Sequence, residues 1–179
     1  NGAPLKNDRI SIKDALLSEK WDFVTVQQVS SLSGIIEAYY PYITELINYV
    51  KRYSSAEIIL HRTWTYEKGS DHPEFFRYEF SPEIMWQKIK SATDAVAAKE
   101  NLRVIDVGGV IKDLRELPEF DESRGGLNLS RDGYHLSMNY GRFVAAAVWA
   151  KFFTGKYPEV PGGSPAFDAI KKYFERKEK

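Results

Sequence analysis

The sequence predicts a three-layer α/β sandwich built on a parallel sheet. Three β-prone runs, residues 23–29, 57–64 and 102–107, alternate with stretches of helical periodicity. A helix between consecutive strands forces a crossover, so the strands pair in parallel through right-handed connections and the sheet is covered on both faces. Further helical patterns follow the third run and supply the second covering layer.

In chain order, Ser11 caps a short helix in which Ile12, Ala15 and Leu16 share a face, ending near Lys20. The first strand follows Trp21-Asp22 and is broken by Ser30-Ser31-Leu32-Ser33-Gly34. Pro41 suits a helix's first turn, and Ile43, Leu46, Ile47 and Val50 then form an apolar stripe reaching about Tyr53. After the second strand comes a long polar loop, residues 65–80, of a length often associated with function. Ser81-Pro82-Glu83 gives an N-cap, an N1 proline and a first-turn acid, opening a helix with Met85, Ile89, Ala92 and Val96 inward. Gly108-Gly109 ends the third strand, and a short helix around 110–117 precedes an irregular stretch to Arg131. Tyr140, Phe143, Val144, Ala147, Val148 and Phe152 mark a helix stopped by Gly155, and Ser164-Pro165 caps a last one carrying Phe167, Ile170 and Phe174. There is no internal repeat, and the whole of 1–179 reads as one domain or a large part of one.

Lys plus Arg and Asp plus Glu number 25 each, so no global field selects nucleic acid or an anionic membrane as partner. Cysteine is absent, which excludes disulfides and thiolate ligands or nucleophiles. No run reaches the apolar length of a membrane span, and the opening residues lack a leader's apolar core.

The segment Asp132-Gly133-Tyr134-His135 follows the last strand, where a parallel sheet commonly assembles its site. An Asp three residues before a His on a turn can accept a hydrogen bond from imidazole Nδ1, leaving Nε2 to deprotonate a hydroxyl. The alternative for the same spacing is a helix-capping Asp132 beside a hydrogen-bonded structural His135.

Beyond that tetrapeptide, four blocks carry a wider likeness. They are Trp21-Asp22-Phe23-Val24-Thr25-Val26-Gln27-Gln28-Val29-Ser30, His61-Arg62-Thr63-Trp64-Thr65-Tyr66-Glu67, the run from Gly125 through Asp132 and His135 to Ser137, and Tyr140-Gly141-Arg142. Together they resemble an uncharacterised bacterial branch of the SGNH (GDSL-like) hydrolases, from about Ile10 to Phe153. The resemblance implies a flavodoxin-like sandwich that hydrolyses esters, often acetyl or acyl groups on carbohydrates, with Ser, His and Asp. It implies His135 as general base, Asp132 as its orienting partner, and an exported bacterial protein.

The family's nucleophile sits in a Gly-x-Ser-type turn after its first strand, and a glycine of its oxyanion hole follows in a second block. Neither is recognisable in residues 1–179. Three strands are few for such a sheet, and the chain opens on a helix. The expectation is therefore the C-terminal portion of an SGNH-like domain, its N-terminal strand or strands and nucleophile lying together upstream.

Gln28, and less so Gln27, stand where the family places an oxyanion donor, although both could equally satisfy loop backbone. Ser30 follows the wrong strand to be the nucleophile. His61 and Trp64 end the second strand and could line a substrate pocket, with Trp64 and Tyr66 offering flat faces to a sugar, or pack beneath the loop. His72 reads as a surface residue. The scattered histidines give no zinc spacing, and no Gly-rich phosphate loop is present, so no metal or other cofactor is expected. The expected function is a serine-type esterase on a small-molecule or carbohydrate ester, without nucleic-acid or membrane partners. The competing expectation is a catalytically inactive carbohydrate-binding or scaffold protein of the same fold.

Overall fold

The computed structural model describes residues 10–121 and 124–178. The polar opening stretch 1–9, read above as lacking a leader core, lies outside them. The described chain contains helices α1 (Ile12–Ser18), α2 (Tyr42–Tyr53), α3 (Pro82–Glu100), α4 (Val107–Arg115), α5 (Gly141–Thr154) and α6 (Pro165–Lys177). Its strands are β1 (Phe23–Val26), β2 (Glu57–Arg62) and β3 (Arg103–Asp106). The strands form one parallel sheet in the order β1-β2-β3, with Val26 opposite Leu60 and Arg62 opposite Asp106.

Because strand order follows chain order, α2 and α3 cross over on the same face. They cover it together with α1, burying Ile43, Ile47, Val50, Ala92 and Val96 against Val26, Ile58 and Leu60. The opposite face carries α4, α5 and α6, whose Ile111, Leu114, Val144, Ala147 and Ile170 enclose Ile59 and Ile105. Each such Val, Ile or Leu side chain, removed from water, contributes about 1.5–3 kcal/mol before entropy is counted. Strand alternation divides β2: Ile58, Leu60 and Arg62 face α3, whereas Ile59 and His61 face α5.

Local chemistry sets the helix starts. Ser11, Ser81 and Ser164 accept from the backbone N–H groups of Asp14, Ile84 and Phe167, with Pro82 and Pro165 in the first turn. The fourth helix begins earlier than its periodicity suggested, at Val107, because the Asp106 carboxylate accepts from Gly109 N–H at 2.9 Å. The first strand ends earlier than expected, at Val26, where side chains take over its hydrogen bonding. There Gln28 Oε1 accepts from Val29 N–H at 2.9 Å and Gln28 Nε2 donates to Ala38 O at 2.8 Å.

Arg62 fastens the centre of the sheet. Its buried guanidinium pairs with Asp94 of α3 and with Asp106 of β3 (3.0 Å), while Nε donates to Thr93 Oγ1 at 2.6 Å. Strand β1 is an edge: among the described residues nothing pairs with its outer side. Phe23 and Phe153, in contact at 4.8 Å between ring centroids, remain 40% and 41% exposed beside it. Among the described residues, no helix is long and apolar enough to cross a membrane.

Candidate active site

Parallel strands bring all their C-terminal ends to one edge, and there the segment entering α5 meets the chain leaving β2. Residues 129–137 form a narrow hairpin: Ser130 bridges Leu136, Ser137 N–H donates to Leu129 O at 2.8 Å, and Arg131 N–H to His135 O at 2.9 Å. Gly133 sits at its tip with φ +83°, and a Cβ there would approach Ser70 to 3.1 Å. At its base, a Cβ on Gly141 would lie 2.2 Å from Leu129 O, so α5 can begin this close only with glycine.

The hairpin is tied down from behind. Trp64 Nε1–H donates to Tyr134 O at 2.8 Å, and Glu67 N–H to Gly133 O at 2.7 Å. Beneath it, the shielded pair Arg115–Glu67 (2.7 Å) encloses Ser130, whose hydroxyl accepts from Arg115 and donates to Glu67 Oε1, each at 3.0 Å. Arg115 also donates to Thr65 O and Oγ1. One arginine thus joins α4, the loop after β2 and the hairpin.

On this support Asp132 and His135 form a pair. Asp132 Oδ1 accepts from His135 N–H at 2.7 Å and Tyr134 N–H at 3.3 Å, while Oδ2 lies 2.7 Å from His135 Nδ1. Desolvation alone would raise the Asp132 carboxyl, but those donors outweigh it and hold the pKa at about 2. A carboxylate only accepts, so Nδ1 carries a hydrogen, and in the neutral ring Nε2 presents a lone pair. The His135 side chain is 56% exposed, its Nε2 bonds to no described residue, and no described serine bonds to the ring.

Next to His135, His61, Trp64, Arg131, Leu136, Arg142, Ala145 and Trp149 line a cavity of about 330 Å³. Larger cavities of about 440, 480 and 420 Å³ lie elsewhere, and neither Asp132 nor His135 lines them. The strand register that sets Val26 opposite Leu60 brings Gln27 beside His61, and Gln27 Oε1 lies 2.6 Å from His61 Nδ1. Burial pushes His61 down to about 4, with Asp106 opposing weakly, so the ring is neutral.

Of the residues singled out from sequence, Asp132, His135, His61 and Trp64 therefore come together, with Gln27 immediately behind. Gln28 is turned to the backbone of residues 29 and 38, which leaves it one amide N–H. Trp64 lines the cavity beside His135, and its Nε1–H fastens the hairpin at Tyr134 O, a contact the sequence did not suggest. His72 is half-buried rather than a surface residue: its ring packs against Tyr66 (4.4 Å) and Tyr134 (4.9 Å), and Nε2 meets the Tyr66 hydroxyl at 3.3 Å. Sequence reasoning missed Glu67, Arg115 and Ser130, which are remote in the chain and marked by no spacing. It also passed over Trp149, and it met Arg142 only as part of the block Tyr140-Gly141-Arg142. A tryptophan and an arginine on the face of α5 that follows His135 were the one available signal.

The fold is thus a parallel α/β/α sandwich, with an Asp–His pair on a loop at the C-terminal edge of its sheet. The chain belongs to the family described as domain of unknown function DUF4886, whose profile matches residues 1–159. A crystal structure of a DUF4886 family protein from Bacteroides uniformis superposes with a TM-score of 0.80 at 30% identity, over 95% of this chain and 68% of that one. A protein from Slackia heliotrinireducens described as a candidate SGNH hydrolase gives 0.59 at 24% identity, over 79% and 70%. An acetylxylan esterase from Geobacillus stearothermophilus, solved as a catalytic mutant, gives 0.40 at 16%, over 73% and 58%. No curated protein sequence matches the chain.

Proposed function

We propose that this protein is a serine-type esterase acting on O-acetyl or acyl esters of carbohydrates, with Asp132 and His135 as two members of its triad. The observation that carries this reading is the Asp132–His135 pair, 2.7 Å apart, on an imidazole whose side chain is 56% exposed and whose Nε2 bonds to no described residue. A serine hydroxyl gives its proton to His135 Nε2 as its oxygen bonds to the ester carbon. The imidazolium then protonates the departing alcohol, and water repeats the sequence to release the acid. Asp132 keeps its charge throughout, holding the ring by Nδ1. An amide N–H of Gln27 or Gln28 stabilises the oxyanion; one such donor is worth about 3 kcal/mol when well placed.

The serine comes from a segment preceding residue 1, making residues 1–179 the C-terminal portion of the catalytic domain. The open outer edge of β1, with Phe23 and Phe153 exposed beside it, supports this: a further parallel strand there would cover both rings and end near Gln27. The test is hydrolysis of p-nitrophenyl acetate and acetylated oligosaccharides by the protein including its native upstream sequence. His135→Ala is expected to lower kcat by about 10²–10⁴-fold; an unchanged rate rejects the assignment. The absence of a described serine bonded to His135 favours, as second reading, a carbohydrate-binding protein of the same fold without hydrolysis. A complete protein lacking a Gly-x-Ser turn upstream would decide for it.

A further inference from the structure

We infer that the cavity beside His135 is a subsite for an acidic sugar: Arg142 and Arg131 pair with its carboxylate, His61 accepts from one of its hydroxyls, and Trp64 and Trp149 pack its apolar face. The inference deepens the esterase reading by naming its substrate class, and rests on that reading only for where the ester lies.

His61 is 9% exposed, and its Nε2 is a buried atom without a hydrogen-bonding partner among the described residues. Gln27 Oε1 can only accept, so Nδ1 carries the ring hydrogen and Nε2 is left as a bare acceptor. A buried acceptor is costly unless a donor reaches it, and a sugar hydroxyl is such a donor. The rings of Trp149 and Trp64 stand 5.5 and 6.4 Å from His61 and make the walls flat and aromatic, suited to the C–H face of a pyranose.

Charge supplies the rest. Arg142 lies in the first turn of α5 and makes no ion pair with any described residue. The helix N-terminus adds to its positive field. Arg131 has Asp132 at 3.6 Å, but that oxygen is held more closely, at 2.7 Å, by His135. The cavity thus carries an excess of guanidinium over carboxylate, and a planar carboxylate matches a guanidinium in a two-pronged bond. A sulfate ion would satisfy the arginines but bring no donor to His61. A neutral sugar would satisfy His61 and leave the arginines unpaired. A uronic acid does both.

The experiment titrates the 179-residue chain with unesterified oligogalacturonate and with neutral oligogalactan of equal length, followed by calorimetry and by the ¹⁵N shift of His61 Nε2. The acidic oligosaccharide is expected to bind at least about ten-fold more tightly and to move the His61 signal. Arg142→Ala and Arg142→Gln should each remove that preference, and Arg52→Ala, on the opposite face of the sheet, should leave it. Equal binding of both sugars, binding of neither, or a preference that survives loss of Arg142 overturns the subsite. A chain that binds oligogalacturonate while the complete protein hydrolyses no ester rejects the esterase reading alone. A complete protein that hydrolyses acetylated galactan and acetylated galacturonan equally rejects the subsite alone.

Discussion

Asp132 divides its two oxygens, Oδ1 to the backbone of Tyr134 and His135 and Oδ2 to the His135 ring. Asp132 therefore caps the tip of the hairpin and not a helix, α5 beginning only at Gly141, and the same side chain bonds the imidazole. Asp132→Asn keeps an acceptor for the backbone but loses the charge that favours the imidazolium. Hydrolysis should fall by about 10²–10⁴-fold with the thermal midpoint little changed; equal activity would remove Asp132 from the triad. His61 gives a second residue-scale expectation. Its folded pKa is depressed to about 4 from an ordinary 6.5, so the unfolded chain binds the extra proton between those values. Stability should be full above about pH 6.5 and fall as pH drops towards 4, by on the order of 3 kcal/mol. Urea unfolding at pH 7 and pH 4.5 measures it, and His61→Phe should flatten the difference. Asp132, also depressed, acts in a lower window, losing its contribution as pH falls from 3.8 towards 2.

At the scale of elements, the hairpin 129–137 has little regular structure of its own, one bridge and two backbone hydrogen bonds, and owes its placement to Arg115, Glu67 and Trp64. Arg115→Met leaves Glu67 shielded without its cation and should cost about 3 kcal/mol, whereas the double variant with Glu67→Leu should recover much of it. A double-mutant cycle by chemical denaturation checks this; simple additivity would mean that the two charges do not act as a unit. This network was illegible in the sequence because its members come from α4, the loop after β2 and the hairpin, with no common period. The starts of α1, α3 and α6 were legible, since Ser-x-x and Ser-Pro caps act within one turn, but that of α4 was not. Strand β1 was over-read by residues 27–29 because β-propensity continues there, while the Gln28 side chain satisfies the backbone instead.

For the whole molecule, the all-parallel sheet has an edge at β1 that no described strand pairs with, the side on which a nucleophile strand is proposed to pair. Hydrogen exchange tests this. The outward amides of Phe23–Val26 should exchange quickly in the 179-residue chain and slow by at least about ten-fold in the protein carrying its native upstream segment. Equal rates would place the serine elsewhere. By itself the sequence determined the α/β/α layering, the helix caps and the Asp132–His135 spacing, because each depends on neighbours within a turn or on a period of apolar residues. Only the tertiary structure decided that Gln27 meets His61, that Arg115 and Glu67 hold the hairpin, and that Arg142 and Trp149 share a cavity with His135. Those contacts follow from strand register and from helix packing across the sheet, distances that no local pattern in the chain encodes.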